Sequence, residues 1–238
     1  MIQGRSLVRE IENLPTSGSD KPQIPVTIAD CGELPADYEV SDVQKADAYG
    51  DAYAEFPEDA KAGDTEFKAE EVVKIVTEIK GFGTQAFKQQ KFDEAIKKYR
   101  KGLRYLNEDP DLDAASPEDR AALRQLRTTL NSNIALLCGK IGAREGKGAK
   151  DYYSDAVKHA TFALEVDGIK DADKAKCLFR RAQGNKGLKD IDAAIVDLEE
   201  AQTLAPEDKL IPIELKKLQD AQKAQKSKLQ KVYSKAFE

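Results

Sequence analysis

Small residues recur at a fixed spacing in two segments of this 238-residue chain. In two segments a small residue is followed twelve positions later by an alanine, then by a large side chain and another small one. These positions are Gly83, Ala95, Tyr99 and Gly102 in the first segment, and Ala182, Ala194, Leu198 and Ala201 in the second, which Pro206 closes. Small residues at such points let two antiparallel helices approach closely, and a proline ends the second helix. The spacing therefore predicts stacked helix pairs.

The composition agrees with thin layers of stacked helices rather than one deep core. Charged residues make up 34% of the chain and aromatic residues 7%, and there is no tryptophan. No run approaches the ~18–20 apolar residues that a membrane-spanning helix needs. The predicted fold class is mainly α, a helical-repeat solenoid of three helix pairs at about 69–107, 118–167 and 172–206.

Three further zones surround the repeats. Residues 1–38 combine a short helical pattern with an alternating one that predicts a strand containing Val26 and Ile28. Residues 39–66 are acidic and interrupted by glycine and proline, so they predict a linker. Residues 207–238 predict a lysine-rich C-terminal helix, for which we favour a capping role on the last repeat over binding to calmodulin or to an acidic membrane.

The sequence shows no motif for catalysis, metal or cofactor. The glycine-rich stretch 139–148 lacks the spacing of a phosphate-binding loop and predicts an insertion loop after a helix that ends at Cys138. His159, the single histidine, shows no partners for a nucleophile or a metal and is expected on the surface or in a groove. Three cysteines without a paired spacing favour a cytoplasmic location. We expect no catalytic residue, no metal, no cofactor, no nucleic-acid or membrane partner, and a monomer.

Five polar side chains fall on the first helix of the three predicted pairs: Lys80 and Thr84, Asn133, and Lys176 and Arg180. In stacked helix pairs the first helices line the concave groove, so the five side chains can converge on one ligand. Like charges four residues apart slightly destabilise a helix, so Lys176 and Arg180 indicate an anion site. The alternative is a merely solvated basic face. It is less favoured because the positions match in three repeats.

These segments resemble the forty-kilodalton cyclophilins, two-domain immunophilin co-chaperones, in their fungal form. The resemblance rests on KGFGTQAFKQQKFDEAIKKYRKGLRY, NSNIAL, KCLFRRAQGNKGLKDIDAAIVDLEEAQTLAPEDK and KVYSKAF. The first three follow the tetratricopeptide (TPR) pattern without its usual tryptophan. GRSLVREIENLP and KPQIPVTIADCGELP are similar to the last fifth of a cyclophilin barrel, so the resemblance implies a truncated β-barrel remnant over residues 1–38.

The resemblance also implies a partner and a site. Members of this family bind the C-terminal Met-Glu-Glu-Val-Asp of the ninety-kilodalton heat-shock chaperone through a carboxylate clamp. The clamp positions correspond to Lys80, Asn133, Lys176 and Arg180, and the remaining position, normally asparagine, is Thr84 here. The last residue of the peptide offers two carboxylates, which Lys, Arg and Asn side chains can saturate.

Two alternatives stay open at this point. One is a peptidyl-prolyl isomerase that assists protein folding, and the other is a TPR adaptor for a different peptide. The resemblance implies that the catalytic Arg, Gln, aromatic and Trp or His positions lie upstream of the matched segment, and none is present. We therefore expect this chain to be inactive as an isomerase, and to be either a truncated gene model or a genuine short form.

Overall fold

The computed structural model describes residues 5–18, 20–33, 46–60, 66–108, 114–146 and 149–236. This part of the chain is mainly helical, as the repeat spacing predicts, and contains eight α-helices and one short 3-10 turn, Pro57–Asp59. The helices are α1 (Arg5–Glu12), α2 (Ala69–Lys88), α3 (Phe92–Leu106), α4 (Pro117–Glu145), α5 (Lys150–Leu164), α6 (Asp171–Gly187), α7 (Ile191–Leu204) and α8 (Leu210–Ala236).

Helices α2 to α7 form three consecutive pairs, in which each helix packs most closely on its partner. The first helix of each pair also contacts the first helix of the next, so α2, α4 and α6 share one face. In the first and third pairs, the turn between the two helices has the same backbone conformation. Gln90 and Lys189 adopt left-handed backbone conformations with φ of 61° and 67°. The next amides, of Lys91 and Asp190, bond back to the preceding helix.

The small residues of the repeat lie where helices approach most closely. A Cβ atom added to Gly83 would lie 2.5 Å from Cε1 of Tyr99, and one added to Gly102 would lie 2.9 Å from Cδ1 of Leu130. Both separations are too short for real carbon atoms, so the Tyr99 ring requires glycine at position 83, whereas at position 102 the end of the Leu130 side chain would have to shift. The spacing that predicted the pairs therefore has its physical basis in these contacts.

Helix α4 is longer than the sequence indicated. It continues through Glu145, whereas the expected end was Cys138, followed by an insertion loop. Ile141 and Gly142 in the added turns are buried, and the ring of Tyr153 on α5 covers Gly142. This local burial extends the helix, and glycines that looked like loop residues provide the space for the Tyr153 ring.

Part of the predicted acidic linker packs on the first helix pair. The Asp51 side chain is fully buried (0% exposed) and accepts hydrogen bonds from Nζ of Lys101 at 2.9 and 3.0 Å and from Lys98. Burial lowers the pKa of Lys101, and the Asp51 carboxylate opposes that shift. The Tyr105 hydroxyl donates to the Ala54 carbonyl at 2.9 Å. Residues 46–60 are therefore part of the packed structure of α2 and α3.

The predicted β-barrel remnant is not seen in the described part of residues 1–38. Residues 25–33 form no strand, and Ile28 is 84% exposed. The bridge between Thr16 and Pro22 is isolated. A lone strand has no partner for its backbone donors and acceptors, which explains why alternation of side chains alone does not produce one here.

Helix α8 begins on the last pair. Its first turns bury Ile211, Leu215 and Leu218 in a cluster that includes Leu198 of α7. Helix α8 thus borders the shared face of α2, α4 and α6 at one end.

Over the described ranges, no helix has the length and apolar character needed to cross a membrane.

Candidate functional site

The five predicted site residues lie on the three first helices of the pairs. Lys80 and Thr84 are one turn apart on α2, Asn133 is on α4, and Lys176 and Arg180 are one turn apart on α6. Because α4 contacts both α2 and α6, these three helices form one continuous face, hereafter the groove, and Lys176 and Arg180 line one cavity on it.

Arg180 is held in the groove by an uncharged partner. Its Nη1 donates a 2.6 Å hydrogen bond to Oγ of Ser132 on α4. The side chain is half-buried, and burial lowers the pKa of its guanidinium, which nevertheless keeps its proton at physiological pH. Within the described residues, neither Arg180 nor Lys80 has a carboxylate within 4.0 Å. Among the described residues Arg180 thus has no ion-pair partner, although the Asp173 carboxylate acts on it from farther away.

Lys176 is the exposed cation of the site. Its side chain is 63% exposed, and its Nζ lies 3.2 Å from Oδ1 of Asp173. A hydrogen bond from Gln125 is the largest cause of the lowered pKa of Asp173, followed by burial, which opposes it, and by Lys176. An exposed ion pair of this kind contributes only about 0–1 kcal/mol. A ligand carboxylate can therefore replace Asp173 as the partner of Lys176 at little cost in free energy.

Thr84 lies next to a tyrosine from the second helix of the first pair. The Thr84 hydroxyl donates to the Lys80 carbonyl at 2.9 Å, and the Tyr99 hydroxyl lies 3.4 Å from Thr84 Oγ1. Burial raises the pKa of the Tyr99 phenol, and side-chain hydrogen bonds with Thr84 and Asn133 oppose that shift. The Tyr99 hydroxyl therefore lies next to Thr84 of α2.

Sequence reasoning missed two residues that support the site, Tyr99 and Ser132. In the repeat spacing Tyr99 is simply the large residue. Leu198, at the corresponding position of the other repeat, has no hydroxyl. Ser132 also accepts a hydrogen bond from the Cys177 thiol at 3.2 Å. The sequence offers only a small signal for these two residues. Tyr99 has a hydroxyl at a repeat position where an aliphatic side chain suffices, and Ser132 is next to Asn133.

An apolar cavity of about 560 Å³ adjoins the cations on α6. It lies between α4, α6 and the start of α8, and its walls include Leu136, Gly139, Phe179 and Ile211 as well as Lys176 and Arg180. Its size falls within the range of small-ligand pockets. The sequence did not predict this cavity, since it depends on where α8 packs.

His159 lies outside the groove. Its Nδ1 is 2.9 Å from Oδ1 of Asn131, and its ring meets Phe162 edge-on. Burial lowers the pKa of His159 to about 4. The ring is half-buried between α4 and α5 and partly exposed, and it does not line the groove. In the described residues no cluster of three or more His, Cys, Asp or Glu side chains could hold a metal.

The paired helices define the class of the fold. They match the C-terminal TPR-containing domain of an FK506-binding protein of Plasmodium falciparum, with a TM-score of 0.54 and 21% identity, over 68% of this chain and 97% of that one. The fold is thus a TPR-type helical repeat. No protein-family model matches the chain.

A curated relative makes the similarity more particular. The whole chain is 38% identical, over 244 aligned residues, to peptidyl-prolyl cis-trans isomerase D of Kluyveromyces lactis. The chain spans 62% of the length of that relative. This match confirms the resemblance to the TPR-containing cyclophilins drawn from the sequence motifs.

Proposed function

We propose that this chain is a TPR co-chaperone that binds the C-terminal Met-Glu-Glu-Val-Asp of the ninety-kilodalton heat-shock chaperone in the groove. The observation that carries the proposal is Arg180, a half-buried cation whose nearest partner is the Ser132 hydroxyl. A half-buried charge that has no direct ion pair is costly, and a bound carboxylate compensates for that cost. The groove is therefore arranged for an anionic ligand.

The C-terminal end of a peptide matches the hydrogen-bond donors of the groove. Its last aspartate provides a side-chain carboxylate and the terminal carboxylate, and each accepts several hydrogen bonds. Lys80 and Asn133 approach from α2 and α4, and Arg180 approaches from α6. Charge-assisted hydrogen bonds from these groups are roughly twice as strong as neutral ones. An internal aspartate has only one carboxylate, so this arrangement selects a chain end.

The apolar cavity offers a place for an apolar side chain of the peptide. It borders Lys176 and Arg180, so an apolar side chain close to the terminal carboxylate reaches it. Valine or methionine of the proposed peptide supplies such a side chain. Acidic residues next to the apolar one remain at the rim, where Lys140 and Lys176 offer positive charge. A ligand with acidic and apolar residues at its end satisfies both parts of the groove.

Replacing both α6 cations tests the proposal. Losing one partner of a buried charged pair costs ~2–5 kcal/mol, so Lys176→Ala with Arg180→Ala should bring micromolar binding below detection in calorimetry. The matched control is Lys174→Ala with Lys186→Ala. It removes two positive charges from the same helix, but these lysines are paired with Glu200 and Glu214. Unchanged affinity in the first variant, with its helicity intact, would refute the proposed clamp.

A further inference from the structure

One carboxylate of the protein itself lies beside a cation of the groove. Oδ1 of Asp173 is 3.2 Å from Nζ of Lys176, one turn further along α6. The Asp173 side chain is 25% exposed, so solvent reaches only part of it. Burial lowers the pKa of Arg180, and the Asp173 carboxylate is one of the charges that oppose this shift. In the free protein, Asp173 thus occupies a position beside Lys176 that a ligand carboxylate also needs.

A glutamine on α4 holds this carboxylate in place. Nε2 of Gln125 donates a 3.0 Å hydrogen bond to Oδ2 of Asp173, so each carboxylate oxygen has its own partner. Because a carboxylate only accepts hydrogen bonds, the NH₂ of the Gln125 amide has to face it. The bond joins two helices and fixes the carboxylate relative to both. Asp173 therefore stays close when Lys176 turns to another partner.

The difference in mobility between Lys176 and Asp173 determines what a ligand gains at this position. Lys176 is 63% exposed and has a long, flexible side chain, so its Nζ can change partners. A ligand carboxylate that takes this Nζ exchanges one ion pair for another, and its net gain is only the difference between the two. The Asp173 carboxylate remains nearby and repels the ligand carboxylate. Both effects limit the affinity of the groove.

We propose that Asp173 is a built-in competitor of the groove, whose carboxylate, held by Gln125, occupies Lys176 and limits the affinity for carboxylate ligands. This inference rests on the proposed function, because it concerns regulation of the same peptide site. A ligand with one acidic group gains little from the exchange at Lys176. A peptide end with several acidic groups also reaches Arg180, so the competitor favours ligands rich in carboxylates.

The alternative explanation is that Asp173 only stabilises α6, because an acidic side chain is favourable in the first turn of a helix. Asp173→Asn separates the two explanations, since asparagine removes the charge and its carbonyl oxygen can still accept from Gln125. This variant should bind the free-acid Met-Glu-Glu-Val-Asp peptide roughly two- to fivefold more tightly in calorimetry at low salt. Equal or weaker binding, with the helicity intact, would overturn the inference.

The matched control is Asp171→Asn, which removes an equal charge from the same helical turn. Asp171 is exposed and has no ion-pair partner among the residues that the structure describes. Its replacement should leave the affinity unchanged. In the background of Lys176→Met, Asp173→Asn should give no gain either, because residues acting through one another are not additive. A gain that persists without Lys176, or that Asp171→Asn reproduces, would be a general effect of net charge and would overturn the role of Asp173.

A further readout needs no peptide. Lysine amines that carry isotope-labelled methyl groups give NMR signals, and the signal of Lys176 is assigned by its loss in Lys176→Met. This signal should shift in Asp173→Asn and stay in place in Asp171→Asn. If the unaltered chain binds no peptide, the proposed function fails, and the shift still supports occupation of Lys176 by Asp173. An unchanged Lys176 signal in Asp173→Asn would overturn the inference whether or not the peptide binds.

Discussion

Arg180 on α6 donates a 2.6 Å hydrogen bond to the Ser132 hydroxyl on α4, and this bond ties the third helix pair to the second inside the groove. The thiol of Cys177, one turn before Arg180, donates to the same oxygen at 3.2 Å. Two side chains of α6 thus converge on one serine. A side chain fixed before the ligand arrives loses less entropy when it binds, so Ser132 favours binding through Arg180.

Ser132→Ala should accordingly weaken binding of the acidic peptide without removing any charge. A hydrogen bond of this kind contributes about 0.5–1.5 kcal/mol, which corresponds to roughly two- to tenfold in affinity. Calorimetry at matched salt measures the change, and thermal unfolding reports whether the fold is retained. If Ser132→Ala binds as tightly as the unaltered chain, the orientation of Arg180 does not limit affinity.

Thr84→Asn should tighten peptide binding. The only hydroxyl proton of Thr84 is donated to the Lys80 carbonyl, so the residue has no donor left for a ligand. Asparagine offers two N–H groups on a longer side chain, and a hydrogen bond to a charged group contributes ~1.5–3 kcal/mol at best. We expect a gain of up to roughly tenfold in a peptide titration. Thr84→Val, which adds no donor, is the control and should give no gain.

Equal or weaker binding by Thr84→Asn, with the fold intact, would show that this position does not contact the ligand. The comparison is informative because Thr84 is where this sequence departs from the clamp pattern of the family that it resembles. The effect of Thr84→Asn on binding also depends on Tyr99, since an asparagine at position 84 would meet the same phenol.

Asp51→Asn should destabilise the first helix pair. The substitution leaves the buried Lys101 and its neighbour Lys98 without their shared carboxylate. Breaking a buried pair in this way costs about 3–5 kcal/mol of unfolding free energy. Glu55→Gln is the control, because Glu55 pairs with Arg104 at the surface, and exposed pairs contribute about 0–1 kcal/mol. Urea unfolding of both variants measures the difference.

Limited proteolysis provides a second test of the same contact. The docking of residues 46–60 predicts a protected fragment that begins near residue 46, and in Asp51→Asn one that begins near residue 67. A fragment that begins near residue 67 in the unaltered chain would mean that this segment is a free linker, as its acidic composition first suggested.

His159 should make the protein less stable in mild acid. Burial lowers its pKa to about 4, whereas histidine in an unfolded chain titrates near 6.5. As the pH falls from 6.5 to 4, the unfolded chain takes up a proton first, so the stabilisation present above 6.5 is lost through this window. Allowing for the partly exposed ring, we expect a loss of about 1 kcal/mol between pH 7 and pH 5.

The chain has one histidine, so its ring can be titrated by NMR without overlap. His159→Gln should remove most of the difference in unfolding free energy between pH 7 and pH 5, since glutamine keeps a hydrogen bond to Asn131 and does not titrate. A ring that titrates near 6.5 in the folded protein would contradict the burial of His159.

The helix pairs could be predicted from the sequence because their signal is local. Gly83 and the small residues like it mark each close approach, and the repeat register then places Lys80 and Arg180 on first helices. The contacts that could not be predicted join residues far apart. Asp51 meets Lys101 fifty positions later, and Ser132 meets Arg180 forty-eight positions later. Nothing in the composition around these residues indicates their partners.

The misplaced strand has a different cause. Alternating side chains around Val26 and Ile28 describe one strand well, but a strand also needs a neighbour to pair its backbone. In the structure Val26 is 48% exposed and Ile28 is 84% exposed. A pattern within one segment carries no information about that neighbour.

Binding of a chain end is the central claim, and calorimetry with two forms of one peptide tests it most directly. The peptide is Met-Glu-Glu-Val-Asp, used once as the free acid and once with its terminus amidated, at the same salt concentration. Amidation removes one carboxylate and leaves every side chain in place. We predict micromolar binding of the free acid and a loss of at least about thirtyfold for the amide, as expected for one partner of a desolvated charge pair. Equal binding of the two forms would contradict the carboxylate clamp.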